Sequence, residues 1–345
     1  MKKVLIALLI CISLSVAACS AKPVGDESEV ESTKDEKIQI GMCFDSFVIE
    51  RWIRDRDVFV SMAKELGAEV NFQNANGEIQ EQIKQIEYFI EKKVDVIVII
   101  CIDSESLKDV VKKAKSAGIK VIAYDRLLVD SDVDLYISFD NEMVGRMMGQ
   151  ALVDEGIAGK KVLMLGGSMA DNNVSLVEGA FEKVMKENDV EILDRFHADG
   201  WKAELASDYV YSHPDLVTEA DAIMCGNDNV ASAVVPILAE QRLAGSTLVT
   251  GQDADLEACQ RIVEGTQLVT IYKPVEKLAQ KAAECAIKLA KGEELPSDEI
   301  TTMQNGSYNI TYLGLEPIAV TGKNIDDVII GSGFHSKEDV YLNVQ

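Results

Sequence analysis

The sequence predicts an α/β protein of two lobes, each a parallel sheet flanked by helices, with the long final helix and the tail crossing back between them. Three observations lead there. From Ile38 onward, short apolar runs alternate with segments of helical periodicity, the pattern of βα units and a parallel sheet. The alternation occurs in two successive sets, before and after Asn141. The apolar runs end in polar or charged residues, which is where open α/β sheets place their ligands.

In the first set the predicted order is strand Ile38–Phe44, helix Glu50–Leu66 closed by Gly67, strand Glu69–Gln73, helix Ile79–Glu91 and strand Val94–Ile102. Helix Ser106–Ala117 closed by Gly118, strand Lys120–Tyr124 and strand Tyr136–Phe139 follow. Runs such as VDVIVIICI are apolar throughout, as a strand covered on both faces requires. The second set reads helix Met143–Glu155, strand Lys161–Leu165, helix Ser175–Asn188, strand Glu191–His197 and a helix around Glu204–Tyr211. It continues with strand Ala222–Cys225, helix Val230–Gln241, strand Thr247–Gly251, helix Leu256–Glu264 and strand Leu268–Tyr272. A long helix, Pro274–Lys291, ends at Gly292, and the tail from Ile300 has short strand-like pieces and turns.

The bulk numbers set limits. A chain of 345 residues with 47% hydrophobic content can build two ordinary cores. A net charge of −24 argues against nucleic acid as a partner, because phosphate binding needs a basic surface. Residues 1–19 are expected to lie outside the fold: Lys2 and Lys3 precede an apolar run, Val4 to Val16, that is short for a stable membrane span. The run ends Val16-Ala17-Ala18-Cys19, which resembles a bacterial lipobox and makes Cys19 the expected lipidated N-terminus; the alternative is an ordinary signal peptide cleaved near Ala18. Residues 20–37 read as a disordered polar tether. Of the seven cysteines, Cys43, Cys101 and Cys225 fall in apolar strand-like runs and read as buried thiols, with no CxxC spacing for metal or redox work.

The strand ends carry the functional signal. Asp125 and Arg126 close one strand, and Arg51 and Trp52 open the first helix. Other strands lead to Asp140-Asn141, to Asp171-Asn172-Asn173, to Asp199-Gly200-Trp201, to Asn227-Asp228, to Asp253 and to Lys273. Asp and Asn are frequent caps and turn formers, and Asp140, Asn172 and Asp228 read that way. Caps do not account for three cations at the same strand ends, or for the chain's two tryptophans falling there. A sugar has polar edges and an apolar C–H face; carboxylates, amides and cations satisfy the first and flat aromatics cover the second. Trp52 and Trp201 as ordinary core is the other reading. No HExxH, Walker A, GxGxxG or GxSxG motif occurs, so neither a metal, a cofactor nor catalysis is expected.

These stretches resemble the D-xylose-binding proteins of the ribose-type periplasmic binding protein superfamily. The similarity runs from about Ile38 to Gly333 and rests on IGM with ERWIRDRD, QNANGEIQEQIKQIE, VDVIVII, AGIKVIAYDR, DLYISFDNE, GGSMADNN, DGW, GNDN, GQDADL and GTQLVTIYKP in that order. The resemblance implies the type I binding-protein fold, joined by a hinge of three chain segments with crossings near Asn141, near Lys273 and after the long helix, and hence lobes of 38–140 with 274–304, and 141–273 with 305–345. It implies that Arg51, Asp125, Arg126, Asn173, Asn227, Asp253 and Lys273 hydrogen-bond a pentose stacked between Trp52 and Trp201. It further implies no enzymatic activity, and an ABC permease as partner, or else the outer domain of a sensor kinase or a chemoreceptor. The first strand (MCFDSF), the loop before Asp221 and the tail 301–318 depart from the family pattern.

Overall fold

A computed structural model describes residues 37–344. The expected lipobox, Cys19 and most of the tether lie outside these residues. The strands are β1 (Gln39–Phe44), β2 (Glu69–Asn74), β3 (Val96–Ile99), β4 (Lys120–Tyr124), β5 (Leu135–Phe139), β6 (Lys161–Gly166), β7 (Glu191–His197), β8 (Ala222–Cys225), β9 (Leu248–Gln252), β10 (Val269–Tyr272), β11 (Thr301–Asn305), β12 (Tyr308–Leu315) and β13 (Ile318–Val320). The helices are α1 (Arg51–Glu65), α2 (Ile79–Lys92), α3 (Lys108–Ser116), α4 (Asn141–Asp154), α5 (Asn172–Glu187), α6 (Ala203–Ser212), α7 (Pro214–Glu219), α8 (Asp228–Glu240), α9 (Leu256–Glu264), α10 (Val275–Lys291) and α11 (Lys337–Val340).

Two sheets result. The first runs β11-β12-β5-β4-β3-β1-β2 and the second β13-β10-β9-β8-β6-β7. Each is parallel apart from one edge strand, β11 in the first and β13 in the second. The first lobe buries apolar side chains on both faces of its sheet. One face packs against α1 and α10 through Phe59, Ala63, Leu278 and Ala282, the other against α2 and α3 through Ile86, Phe89, Val110 and Val111. The second lobe does the same, with α4 and α5 on one face and α6 and α8 on the other. Covering both faces is why the central strands read as unbroken apolar runs.

The chain passes between sheets after β5, after β10 and between β12 and β13. The boundary expected at 304/305 therefore moves to the short link between Leu315 and Ile318. The reason is a ladder: β12 lies parallel beside β5, with Tyr312 opposite Tyr136 and Leu315 opposite Phe139. Ile310, Leu313 and Leu315 are buried in the first lobe. The helix expected around Glu204–Tyr211 is α6, and a further short helix, α7, follows it, started afresh by Pro214, which lacks an N–H and restricts the residue before it. The five described cysteines are free and buried.

Candidate functional site

The carboxyl ends of the two sheets face one another across a cavity enclosing about 450 Å³ of space not filled by atoms. All nine side chains singled out in the sequence line it. Arg51 and Trp52 enter from the first turn of α1, and Asp125 and Arg126 from the end of β4. Asn173 comes from the start of α5, Trp201 from a single 3-10 turn after β7, and Asn227 from the start of α8. Asp253 and Lys273 follow β9 and β10. Each is buried; the most exposed, Trp201, retains 7% of its accessible surface.

Burying this much charge requires pairing. Arg51 donates to Asp55 at 3.0 and 3.2 Å and lies 2.9 Å from Asp125 Oδ2. Asp55 also accepts the Tyr124 hydroxyl. Arg126 donates to Asp45 at 2.8 Å and to the Cys101 carbonyl at 2.9 Å, and its Nε lies 2.8 Å from Asp171. Lys273 Nζ is 3.3 Å from Asp253. Burial alone would raise the Asp125 carboxyl, yet the cations of Arg51, Lys273 and Arg126 hold it below its ordinary value. For Asp45, Asp55 and Asp171 burial outweighs the neighbouring arginines, and their carboxyls are raised.

Several of these contacts join the lobes. Arg126 reaches Asp171, Asn173 Nδ2 donates to the Asp125 carbonyl at 3.1 Å, and Ser104 N–H donates to the Ala170 carbonyl at 2.9 Å. Arg51 lies 3.9 Å from Asp253 of the opposite lobe. The lobes are thus closed on one another.

The chemistry of the cavity is that of a polyhydroxylated neutral ligand. Arg126 Nη2, Asn227 Nδ2 and Trp52 Nε1 are buried donors, and Asn173 Oδ1 and Gln252 Oε1 buried acceptors, without hydrogen-bond partners in the protein. Hydroxyls both donate and accept, so one ring can answer both kinds. The three cations at the site are outnumbered by the five aspartates around them, which disfavours an anionic ligand such as a sugar phosphate. Three lining residues, Asp125, Trp201 and Asp253, have left-handed backbones, with φ of 62°, 58° and 98°. For an indole-bearing residue that is strained, and such strain clusters at functional sites. Gly167 makes room for Trp201: a Cβ there would lie 2.3 Å from the indole. Among the described residues no cluster of His, Cys, Asp and Glu could hold a metal ion.

The sequence reading did not assign Asp45, Asp55 and Asp171 the role of holding the arginines. Asp55 was findable, because it stands four residues after Arg51 on one helix face. Asp171 is the cap of α5 and also accepts from Trp201 Nε1 at 3.3 Å. The two expected caps Asn172 and Asp228 are corrections. Asp171 and Asn227 cap α5 and α8, while Asp228 is fully buried and accepts from Thr270, Gln267 and the Asp255 N–H. Asp140 does cap α4, through the Met143 N–H.

Residues 40–294 match the periplasmic binding protein domain family. The chain is 40% identical over 315 residues to the D-xylose-binding periplasmic protein of Haemophilus influenzae, covering 90% of this chain and 94% of that one. It is 42% identical over 310 residues to the D-xylose-binding periplasmic protein of Escherichia coli, covering 88% and 93%. Among solved structures, an ABC transporter solute-binding protein from Clostridium phytofermentans with bound β-D-glucose superposes with a TM-score of 0.79 at 28% identity, covering 88% of this chain and 99% of that one. A carbohydrate transporter solute-binding protein from Chloroflexus aurantiacus in complex with D-glucose gives 0.79 at 26% identity, covering 87% and 98%.

Proposed function

Because this chain belongs to the periplasmic binding protein domain family, we propose that it captures D-xylose between its lobes outside the cytoplasm and delivers it to an ABC permease. The observation that carries the reading is the closed cavity, whose buried donors, acceptors and two indoles suit a neutral sugar ring. In this reading Arg51, Asp125, Arg126, Asn173, Asn227, Asp253 and Lys273 bond the hydroxyls and ring oxygen, and Trp52 and Trp201 cover the C–H faces. The pairs around Arg51 and Arg126 hold each guanidinium in place before the sugar arrives, which lowers the ordering cost of binding.

Capture works by hinge motion at the three chain crossings. Opening separates Arg126 from Asp171 and Asn173 from Asp125, and a sugar bound to both lobes stabilises the closed form by its differential contacts. The closed form is then the one a permease can distinguish. D-xylose is favoured by the names of the two relatives at 40% and 42% identity, while relatives at 28% and 26% hold glucose. Anchoring through lipid on Cys19 belongs to the same proposal; a Cys19→Ala chain is expected in the soluble fraction rather than with membranes.

Titration calorimetry with D-xylose, D-glucose, D-ribose and L-arabinose tests the ligand. Tight binding of xylose without turnover is expected; binding of none of the four would remove the sugar reading. Co-purification of the xylose-loaded protein with membranes should recover a permease, and recovery of a sensor kinase instead would turn the reading to signalling.

A further inference from the structure

One carboxylate in the cavity wall belongs to none of the pairs described above. Glu178 lies on the buried stripe of α5, one turn beyond Val174, and is 8% exposed. Its Oε2 is 3.0 Å from His197 Nε2 at the end of β7. Its Oε1 is buried and has no hydrogen-bond partner in the protein. The residue lines the cavity beside Gly167, Trp201, Met224 and Asn227. The backbone is shaped around it: a Cβ on Gly166 would lie 1.9 Å from Oε1 and 2.9 Å from His197 Cδ2.

A buried carboxylate oxygen left without a donor costs free energy, and Oε1 has none in the protein. His197 pins one oxygen, so the other keeps its lone pairs for the cavity. We propose that Glu178, positioned by His197, is a further specificity-determining residue, whose Oε1 accepts a hydroxyl of the bound sugar at the second-lobe end of the cavity, directly or through one water. The proposal deepens the sugar-binding reading and rests on it. A carboxylate there selects for a ligand that presents a donor at that position and against one that presents hydrogen or an acceptor, because a charged acceptor forms the stronger bond and pays the larger penalty when unpaired. A purely structural Glu178–His197 pair, tying α5 to β7, would affect stability and bind all sugars alike.

The test is calorimetric titration of wild type, Glu178→Leu, Glu178→Gln and His197→Gln with D-xylose, D-glucose and the series of monodeoxy D-xyloses, alongside thermal melts. Glu178→Leu is expected to weaken D-xylose about tenfold or more, and to weaken one monodeoxy analogue far less, since that analogue lacks the hydroxyl Glu178 reads. Glu178→Gln keeps the shape and one acceptor and carries the test if the leucine variant does not fold; it should show the same pattern with a smaller loss. His197→Gln should lower affinity while preserving which analogue is spared. Wild-type affinity in folded Glu178 variants, or an equal loss against every deoxy analogue, overturns the proposal and leaves the sugar reading intact. A wild type that binds none of these sugars overturns both.

Discussion

Trp201 holds its indole on a left-handed backbone against Gly167, with its N–H on Asp171. Asp253 is likewise left-handed and is paired with Lys273. Side chains fixed this tightly lose little entropy when a ligand binds, so truncation should register directly in affinity. Trp201→Ala and Asp253→Ala are each expected to weaken sugar binding by at least ~2 kcal/mol, through lost stacking or a buried cation left unpaired; near-wild-type calorimetric affinity in both would remove these residues from the site. Asp228 is a different kind of residue. Burial pushes its carboxyl up from 3.8 to about 7, and Asp255, to which it is linked through the Asp255 N–H, is raised for the same reason. In the unfolded chain the Asp228 proton leaves near the ordinary value. Between about 4 and 7 the folded state therefore holds more protons, and stability falls as pH rises through that window. Asp228→Asn lacks this titration, so its stability relative to wild type should climb from pH 4 to pH 7 in urea melts; parallel profiles would contradict the assignment.

Among the elements, the crossing of α4 and α5 decides how Asn173 and Glu178 reach the cavity. Gly145 sits at that crossing, where a Cβ would lie 2.0 Å from the Val177 carbonyl oxygen, and a Cβ on Gly149 would lie 2.9 Å from the Val184 side chain. Gly145→Ala must push backbone from backbone. It is expected to destabilise the protein by about 1–3 kcal/mol, read as a lower urea midpoint, and an unchanged midpoint would show that the helices can separate freely. The alternation of βα units was legible because central strands and amphipathic helices have different apolar periods. The tail was not. In Thr301–Leu315 only part of each strand is buried, so its pattern carries no sign of which sheet it joins. That was decided by the pairing of β12 with β5.

For the molecule as a whole, closure is the property that matters, and it is held outside the cavity as well as within it. Arg54 on α1 of the first lobe donates to Glu276 at 2.9 Å and to the Phe334 carbonyl at 3.0 Å, with its guanidinium 4.0 Å above the Phe334 ring. Phe334 belongs to the apolar cluster of the second lobe, and the adjoining His335 bonds the Ala254 carbonyl beside Asp253. Loss of Arg54 removes a contact between α1 of the first lobe and Phe334 of the second. Arg54→Ala is expected to shift the sugar-free population toward open and to weaken binding by roughly three- to tenfold. Small-angle scattering should show a larger radius of gyration without sugar and recovery with it; no change in either measurement would locate closure entirely in the cavity.

The sequence by itself determined the two-lobed α/β class, the strand ends as the site, and the nine residue identities gathered there, because periodicity and strand-end chemistry are local properties of the chain. It left Asp228 looking like a helix cap, put the last crossing eleven residues early, and did not show that Asp45 and Asp171 grip Arg126. Those are matters of distance between segments far apart in the chain. Arg126 meets Asp45 once the first sheet is built, Glu178 meets His197 once the second is, and Arg126 meets Asp171 only when the lobes have closed.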